Sequence, residues 1–208
     1  MLVKELYQEE SNTLSRISRY SVGVLALCAL LAQPAIAETY SIDPVHSSVG
    51  FSIRHLVGRT SGSFADFSGS IAYDEAKPSA ASFAGTVQIG SIDTGNEKRD
   101  GHLKSADFFD AEKFPIMGFA STSVKSTKAG LQVTGDLTLH GVTKSIVIPV
   151  EVLGIGMNPM SKKPVAGFSA EFVIARSDFG VNSWVDQAGV MGDEVKITLL
   201  VEAGAAGE

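Results

Sequence analysis

Four histidines, His46, His55, His102 and His140, are the side chains best suited to hold a metal or move a proton. No two of them stand at i, i+2 or i, i+4, the spacings that put a ligand pair on one face of a strand or helix, so a metal site is not expected. Each could serve instead as a hydrogen-bonded structural residue, and His55, at the end of an apolar strand face, is the one best placed for that. Asp74-Glu75 and Asp193-Glu194 are adjacent carboxylates, but neighbours on a strand point to opposite faces. They are expected to be solvated turn charges. The sequence contains no G-x-S-x-G, P-loop, C-x-x-C or H-E-x-x-H pattern. Asp178-Phe179-Gly180 matches a kinase triplet by its letters alone, with neither the glycine-rich loop nor the H-R-D partner. The single cysteine, Cys28, excludes an internal disulfide and any cysteine-rich metal centre. No nucleophile comes with a matched base. Binding without catalysis and without a cofactor is therefore the leading expectation.

Charge narrows the partners. Against 17 Lys+Arg the 208 residues carry 23 Asp+Glu, a net charge of -6, which argues against a nucleic-acid binder. With 44% hydrophobic and 19% charged residues the chain is expected to fold. Its first part reads differently. Arg16 and Arg19 precede the apolar run 21–32, which leads to Ala35-Ile36-Ala37. A basic flank, a short apolar core and an A-x-A ending form a secretory signal, with cleavage after Ala37. The run is shorter than the roughly 20 residues of a membrane-spanning helix. A retained anchor, or a lipid on Cys28, would be the alternatives, although Leu27 stands where a lipidated cysteine has a small residue before it. The lead 1–15 is long and mixed in charge, which suggests a start codon further downstream. Residues 1–37 are thus assigned to a signal peptide and 38–208 to one domain.

That domain reads as strands. Val49, Phe51, Ile53 and His55 alternate with Ser48, Gly50, Ser52 and Arg54. The same period of two returns at 67–73, 83–89, 116–125, 131–139, 146–152, 168–174 and 195–201. Such alternation puts one face inward and the other in water. Short Gly-, Ser- and Lys-containing connections, such as Lys128-Ala129-Gly130, favour antiparallel neighbours. Eight antiparallel strands close well into a barrel, which removes the exposed edges; a two-sheet sandwich would show the same pattern. One segment breaks the rhythm. Thr94-Gly-Asn-Glu97 has the form of a capping box, so a short helix is expected from there to about Leu103, followed by a turn over Asp107–Asp110 before Pro115. This insert is either a helical plug or a lid on a cavity.

Several of these segments together resemble a known family. Ile42-Asp-Pro-Val-His-Ser-Ser-Val-Gly-Phe51, with Arg54-His55-Leu56, is similar to the opening of the YceI-like, polyisoprenoid-binding proteins. Ser91 to Ser105, continued by Asp107-Phe-Phe-Asp110, resembles that family's helical insert. Gly135-Asp-Leu-Thr-Leu-His-Gly-Val-Thr-Lys144, Arg176-Ser-Asp-Phe-Gly180 and Gly192-Asp-Glu-Val195 follow in the same order. The resemblance implies an all-β, eight-stranded antiparallel lipocalin-like barrel with a short helical insert. It also implies export to the periplasm, an apolar tunnel holding a polyisoprenoid or other long-chain lipid such as an isoprenoid quinone, and a homodimer in many members. Transient contact with the inner membrane would go with such a role. The loop 157–164 and the long lead depart from the pattern.

Residue chemistry is compatible with that role. An eight-stranded barrel is either filled by side chains or holds one slim ligand. Gly69, Gly85 and Gly135 fall on the inward parity, where a missing side chain leaves space or allows a bend. The inward candidates for a tunnel are Phe51, Ile53, Phe67, Ile71, Phe83, Val87, Leu137, Phe168, Phe172 and Ile197, joined by Phe108 and Phe109 of the insert. Plain core packing is their alternative. His46, Arg99, His102 and Arg176 are the candidates for a polar head group, although Arg99 could instead pair with Asp93 or Asp100. Two other readings remain: an enzyme acting on an isoprenoid near His46, His102, Asp93 or Asp100, and a solid barrel with a protein-binding outer face. Mass spectrometry of the exported protein is expected to give a chain that begins at Glu38. Because that chain has no cysteine, reductant should leave its melting temperature unchanged; an intact 1–37 or a diacylglycerol adduct on Cys28 would contradict the assignment.

Overall fold

The computed structural model describes residues 38–185 and 189–206. The signal peptide expected over 1–37, with Cys28, lies outside the described residues. The domain is built from β1 (Glu38–Ile42), β2 (Ser48–His55), β3 (Gly58–Phe64), β4 (Phe67–Tyr73), β5 (Ser82–Gln88) and β6 (Ile92–Asp93). The helix α1 (Glu97–Lys104) comes next, followed by β7 (Ile116–Thr127), β8 (Gly130–Leu139), β9 (Val142–Met157), β10 (Pro164–Ala175) and β11 (Met191–Ala205). Every pairing among these strands is antiparallel.

The eleven segments occupy eight positions. β1 and β2 lie end to end along β11, Ile42 opposite Ala203 and Ser48 opposite Leu200. β3 and β4 return along them in the same broken fashion, and β5 and β6 follow against β4 and β3. β7 to β11 continue the meander, and β11 closes it against β1. The result is a closed barrel, not the sandwich that the alternation also allowed. The ladder between β9 and β10 ends at Val150 opposite Ala170. The next residue back along β9 is Pro149, which has no N–H to donate.

Alternation decides which face is inside. In β8, Leu131, Val133, Leu137 and Leu139 are buried while Gln132 and Asp136 are exposed. Two apolar clusters organise the interior. One joins Tyr40, Tyr73, Phe83 and Phe168 at one end of the barrel, where Tyr73 and Phe83 meet the Phe168 ring edge-on at 5.6 and 5.7 Å. The other gathers Phe64, Ile89, Ile92, Leu137, Leu139 and Phe179.

Two inward glycines, Gly62 and Gly135, act by close approach, whereas Gly85 borders the inner cavity. A Cβ on Gly135 would strike the Phe119 ring and the Ala120 carbonyl, and one on Gly62 would come within 2.6 Å of the Phe51 ring. At Gly135 the missing side chain is therefore covered by an aromatic ring and leaves no void. Replacing Gly135 with Ala forces backbone to move, and is expected to lower unfolding stability by about 1–3 kcal/mol in urea titrations. Pairing it with Phe119→Leu should recover part of that loss, because the two changes share one contact.

Candidate functional site

Two adjoining compartments lie in the barrel. The inner one, about 190 Å3, is lined by residues from all eight strand positions and from β7 to β11 is wholly apolar except for Ser169. The outer one, about 490 Å3, lies under α1, within the size range of small-molecule sites. Phe51, Phe64, Met117, Ile174 and Ile197 line both, so the two adjoin.

All twelve apolar candidates line this space. Phe67, Ile71, Phe83, Val87, Leu137, Phe168 and Phe172 surround the inner compartment. Ile53, Phe108 and Phe109 surround the outer one, and Phe51 and Ile197 touch both. Ile71 and Phe168 are also buried members of the end cluster, so they serve packing as well.

The outer compartment is polar at its rim. Three of the four head-group candidates, Arg99, His102 and Arg176, line it together with Lys98 and His55, and no carboxylate does so among the described residues. Its geometry begins with α1. The capping box expected at Thr94 is displaced by two residues: Asn96 is the N-cap, and its side chain accepts from the Arg99 backbone N–H. Thr94 has another role. Its hydroxyl donates to the buried Asp100 carboxylate at 2.5 Å and accepts from Arg99 Nε at 2.6 Å, while Arg99 Nη2 donates to the Thr94 carbonyl at 2.7 Å. Arg99 is thus oriented by Thr94 rather than by pairing with Asp93 or Asp100. Beyond the helix, Ser105 forms its C-cap. Phe108 packs edge-on against His102 and Trp184, and Phe109 against Phe64. His102 Nε2 lies 3.0 Å from Asp107 Oδ2.

Arg176 sits deeper, 5% exposed. It opens a short 3-10 turn, Arg176–Phe179, which ends at the left-handed Gly180. Its Nε donates to the Gly192 carbonyl at 2.9 Å and its Nη1 to the Val181 carbonyl at 2.8 Å, while Nη2 has no partner among the described residues. Burial pushes its pKa down, and nearby Asp193 opposes that shift.

His46 stands apart. It lies outside both compartments, with Nδ1 2.7 Å from Asp43 Oδ2. That hydrogen bond raises the His46 pKa and lowers that of Asp43. Asp43, His46 and Glu202 form a group with metal-ligand geometry on the surface, brought together by the β1–β2 break against β11.

Other readings of single residues change. His55 is exposed at the chamber rim; the structural histidine is His140, whose ring packs on Phe114 at 4.7 Å with Nδ1 3.2 Å from the Phe179 carbonyl. Asp193 is not a solvated turn charge, because it accepts from the Ser177 N–H at 2.9 Å and hydroxyl at 2.7 Å. Phe64, Met117 and Trp184 line the outer compartment unannounced by the sequence. Phe64 belongs to β3, GRTSGSF, whose only large apolar residue gives almost no alternation to read. Trp184 lies between strands, where periodicity has nothing to say.

A closed antiparallel barrel, with an apolar interior beside a chamber rimmed by cations, is a lipocalin-like barrel. Its lineage can be stated more closely. The chain belongs to the YceI-like family: a family model described as the YceI-like domain matches residues 40–203. Protein YceI of Escherichia coli is 40% identical over 174 residues, covering 82% of this chain and 89% of that protein. The crystal structure of Burkholderia cenocepacia BcnA aligns with a TM-score of 0.71 at 28% identity, over 78% of this chain and 99% of that one. A polyisoprenoid-binding domain from Saccharophagus degradans has the same fold, with a TM-score of 0.64 at 15% identity over 82% and 99% of the two chains.

The Arg176 contacts predict a stability effect. Arg176→Met leaves the Gly192 and Val181 carbonyls without their charged donor, and is expected to cost about 2–4 kcal/mol in chemical denaturation. A variant as stable as the parent would show that these carbonyls find other donors.

Proposed function

We propose that this protein binds a long-chain lipid, a polyisoprenoid such as an isoprenoid quinone or polyprenyl derivative, and carries it without altering it. The observation that carries this reading is an apolar inner compartment that shares its wall residues with a cation-rimmed outer chamber. A tail in the inner compartment gains roughly 0.8 kcal/mol per buried CH2 and needs no polar partner. A head group in the outer chamber would meet the guanidinium and imidazole donors of Arg99, Arg176 and His102, which suit a phosphate or a quinone oxygen. The polyisoprenoid-binding domain that shares the fold supports this choice of ligand. The secretory pattern before Glu38 supports a periplasmic location, where a water-insoluble lipid needs shielding between membranes. Among the described residues no helix is long and apolar enough to cross a membrane.

Organic extraction of the purified protein followed by mass spectrometry tests the reading. A bound long-chain lipid is expected, unchanged on incubation. Turnover of that lipid would make the protein an enzyme, and the absence of any lipid would leave a structural barrel. Phe83→Asp or Phe172→Asp buries an unpaired carboxylate against the tail, and each is expected to abolish lipid retention while circular dichroism still reports a folded barrel. Unaltered lipid content in a folded variant would put the ligand elsewhere.

A further inference from the structure

The β2–β3 hairpin makes three locally unfavourable choices between residues 54 and 59. Its tip is Leu56-Val57, the first more than half exposed and the second fully so. Leu56 sits at φ +50°, a left-handed conformation that residues with side chains avoid and that hairpin tips usually give to Asn or Gly. Below the tip, Arg54 and Arg59 are direct cross-strand partners, a position in which like charges repel. Neither guanidinium has a carboxylate partner among the described residues. Arg54 donates to the carbonyls of Leu56 and Gly189 at 3.3 and 3.1 Å, and Arg59 to the hydroxyl and carbonyl of Ser52.

Burial does not offset these costs, since all four side chains are exposed. Arg54, Leu56, Val57 and Arg59 line neither compartment, yet their neighbours Ile53, His55 and Thr60 line the outer chamber. Breaks in local consistency mark places where function, rather than folding, has set the residue. An apolar tip flanked by cations has the chemistry of an interfacial anchor: the apolar side chains leave water for the acyl boundary while the cations meet lipid phosphates. The surrounding charge is complementary. In a chain of net charge -6, Lys98 and Arg99 rim the same chamber, and Trp184 lines it with 39% of its surface exposed. A two-fold contact between copies at this tip would instead bring four arginines together.

We propose that the β2–β3 hairpin docks the chamber mouth onto an anionic membrane surface, an inference that rests on the outer chamber being the entrance to a lipid-binding tunnel. Leu56 and Val57 enter the interface, Arg54 and Arg59 hold phosphates beside them, and the mouth is set down where a lipid leaves or enters the bilayer.

Co-sedimentation with vesicles tests this. The purified protein is expected to bind vesicles of equal parts phosphatidylglycerol and phosphatidylcholine, to bind phosphatidylcholine alone about tenfold more weakly, and to lose the difference at high salt. Fluorescence of Trp184, the single tryptophan, should shift to the blue on docking. Two independent double variants, Leu56→Ser with Val57→Ser and Arg54→Gln with Arg59→Gln, should each weaken binding to the anionic vesicles by about tenfold. Neither should fall below the parent melting temperature by more than about a degree or two, and both should keep the extractable lipid, since they leave the cavity lining unchanged. Equal binding to neutral and anionic vesicles, variants that dock as well as the parent, or a tip-dependent dimer without docking would each overturn the proposal. Lipid retained without docking would sink the docking alone. Docking by a protein that yields no lipid would sink the tunnel reading and leave the membrane surface as the hairpin's partner.

Discussion

Closure of the hydrogen-bond ladder through β11 is the constraint on which the rest of the molecule depends. Met191–Ala205 pairs with β10 along one edge and with β1 and β2 along the other, so the sheet has no free edge at this seam. An apolar space inside a protein is costly to keep, roughly 24 cal/mol per Å3 by the cost of engineered cavities. For the inner compartment of about 190 Å3 that is several kcal/mol. A helical bundle could relax into such a space by sliding its elements together. A closed ladder cannot shrink without breaking inter-strand hydrogen bonds. The covalent order of the strands and the pairing of their backbones therefore hold the walls apart, and side chains decide only how much of the interior is filled.

Filling is uneven along the axis. Around Phe168, the rings of Tyr73 and Phe83 meet it edge-on. Elsewhere Phe51 and Phe119 come against Gly62 and Gly135, each ring taking the place that a side chain would fill. Aromatic bulk thus converges in one cluster and, away from it, covers the gaps that glycines leave in the wall.

How much of this was legible in the sequence follows from which interactions have a period. All eight strand positions coincide with the apolar alternations, because burial of one face is written residue by residue. Phe83, Val87, Phe172 and Ile197 could be assigned inward for that reason. β3 could not be read, since Gly58–Phe64 holds Gly, Ser and Thr where the alternation would need bulk; its register comes from pairing with β2, a long-range property. The helix N-cap was misread because Thr94 and Asn96 are both good capping residues. The choice between them was made by Asp100, which is buried and takes the Thr94 hydroxyl. His55 and His140 exchanged roles for a similar reason. His140 occupies a two-residue hairpin tip with Gly141, both at positive φ, and the turn carries its ring to Phe114 and the Phe179 carbonyl. Three of the four polar candidates converge on one chamber, and His46 lies elsewhere because the β1–β2 break, which no local pattern announces, turns it toward Asp43 and Glu202.

The way the two chamber arginines are held bears on what the chamber can attract. A guanidinium fixed by a carboxylate is oriented and neutralised at once. Arg99 is held by a hydroxyl and a carbonyl of Thr94, and Arg176 by the carbonyls of Gly192 and Val181. These acceptors fix direction but leave the charge standing. The nearest acids act one step removed: Asp100 holds Thr94, and Asp193 holds Ser177. Backbone and hydroxyl acceptors therefore keep two positive charges at the chamber of a protein whose net charge is -6. In a partly water-excluded cleft such charges act over longer distances than at an open surface. Tail and head would then be selected by different physics in adjoining spaces, the tail by burial without direction and the head by oriented donors that no carboxylate pairs directly.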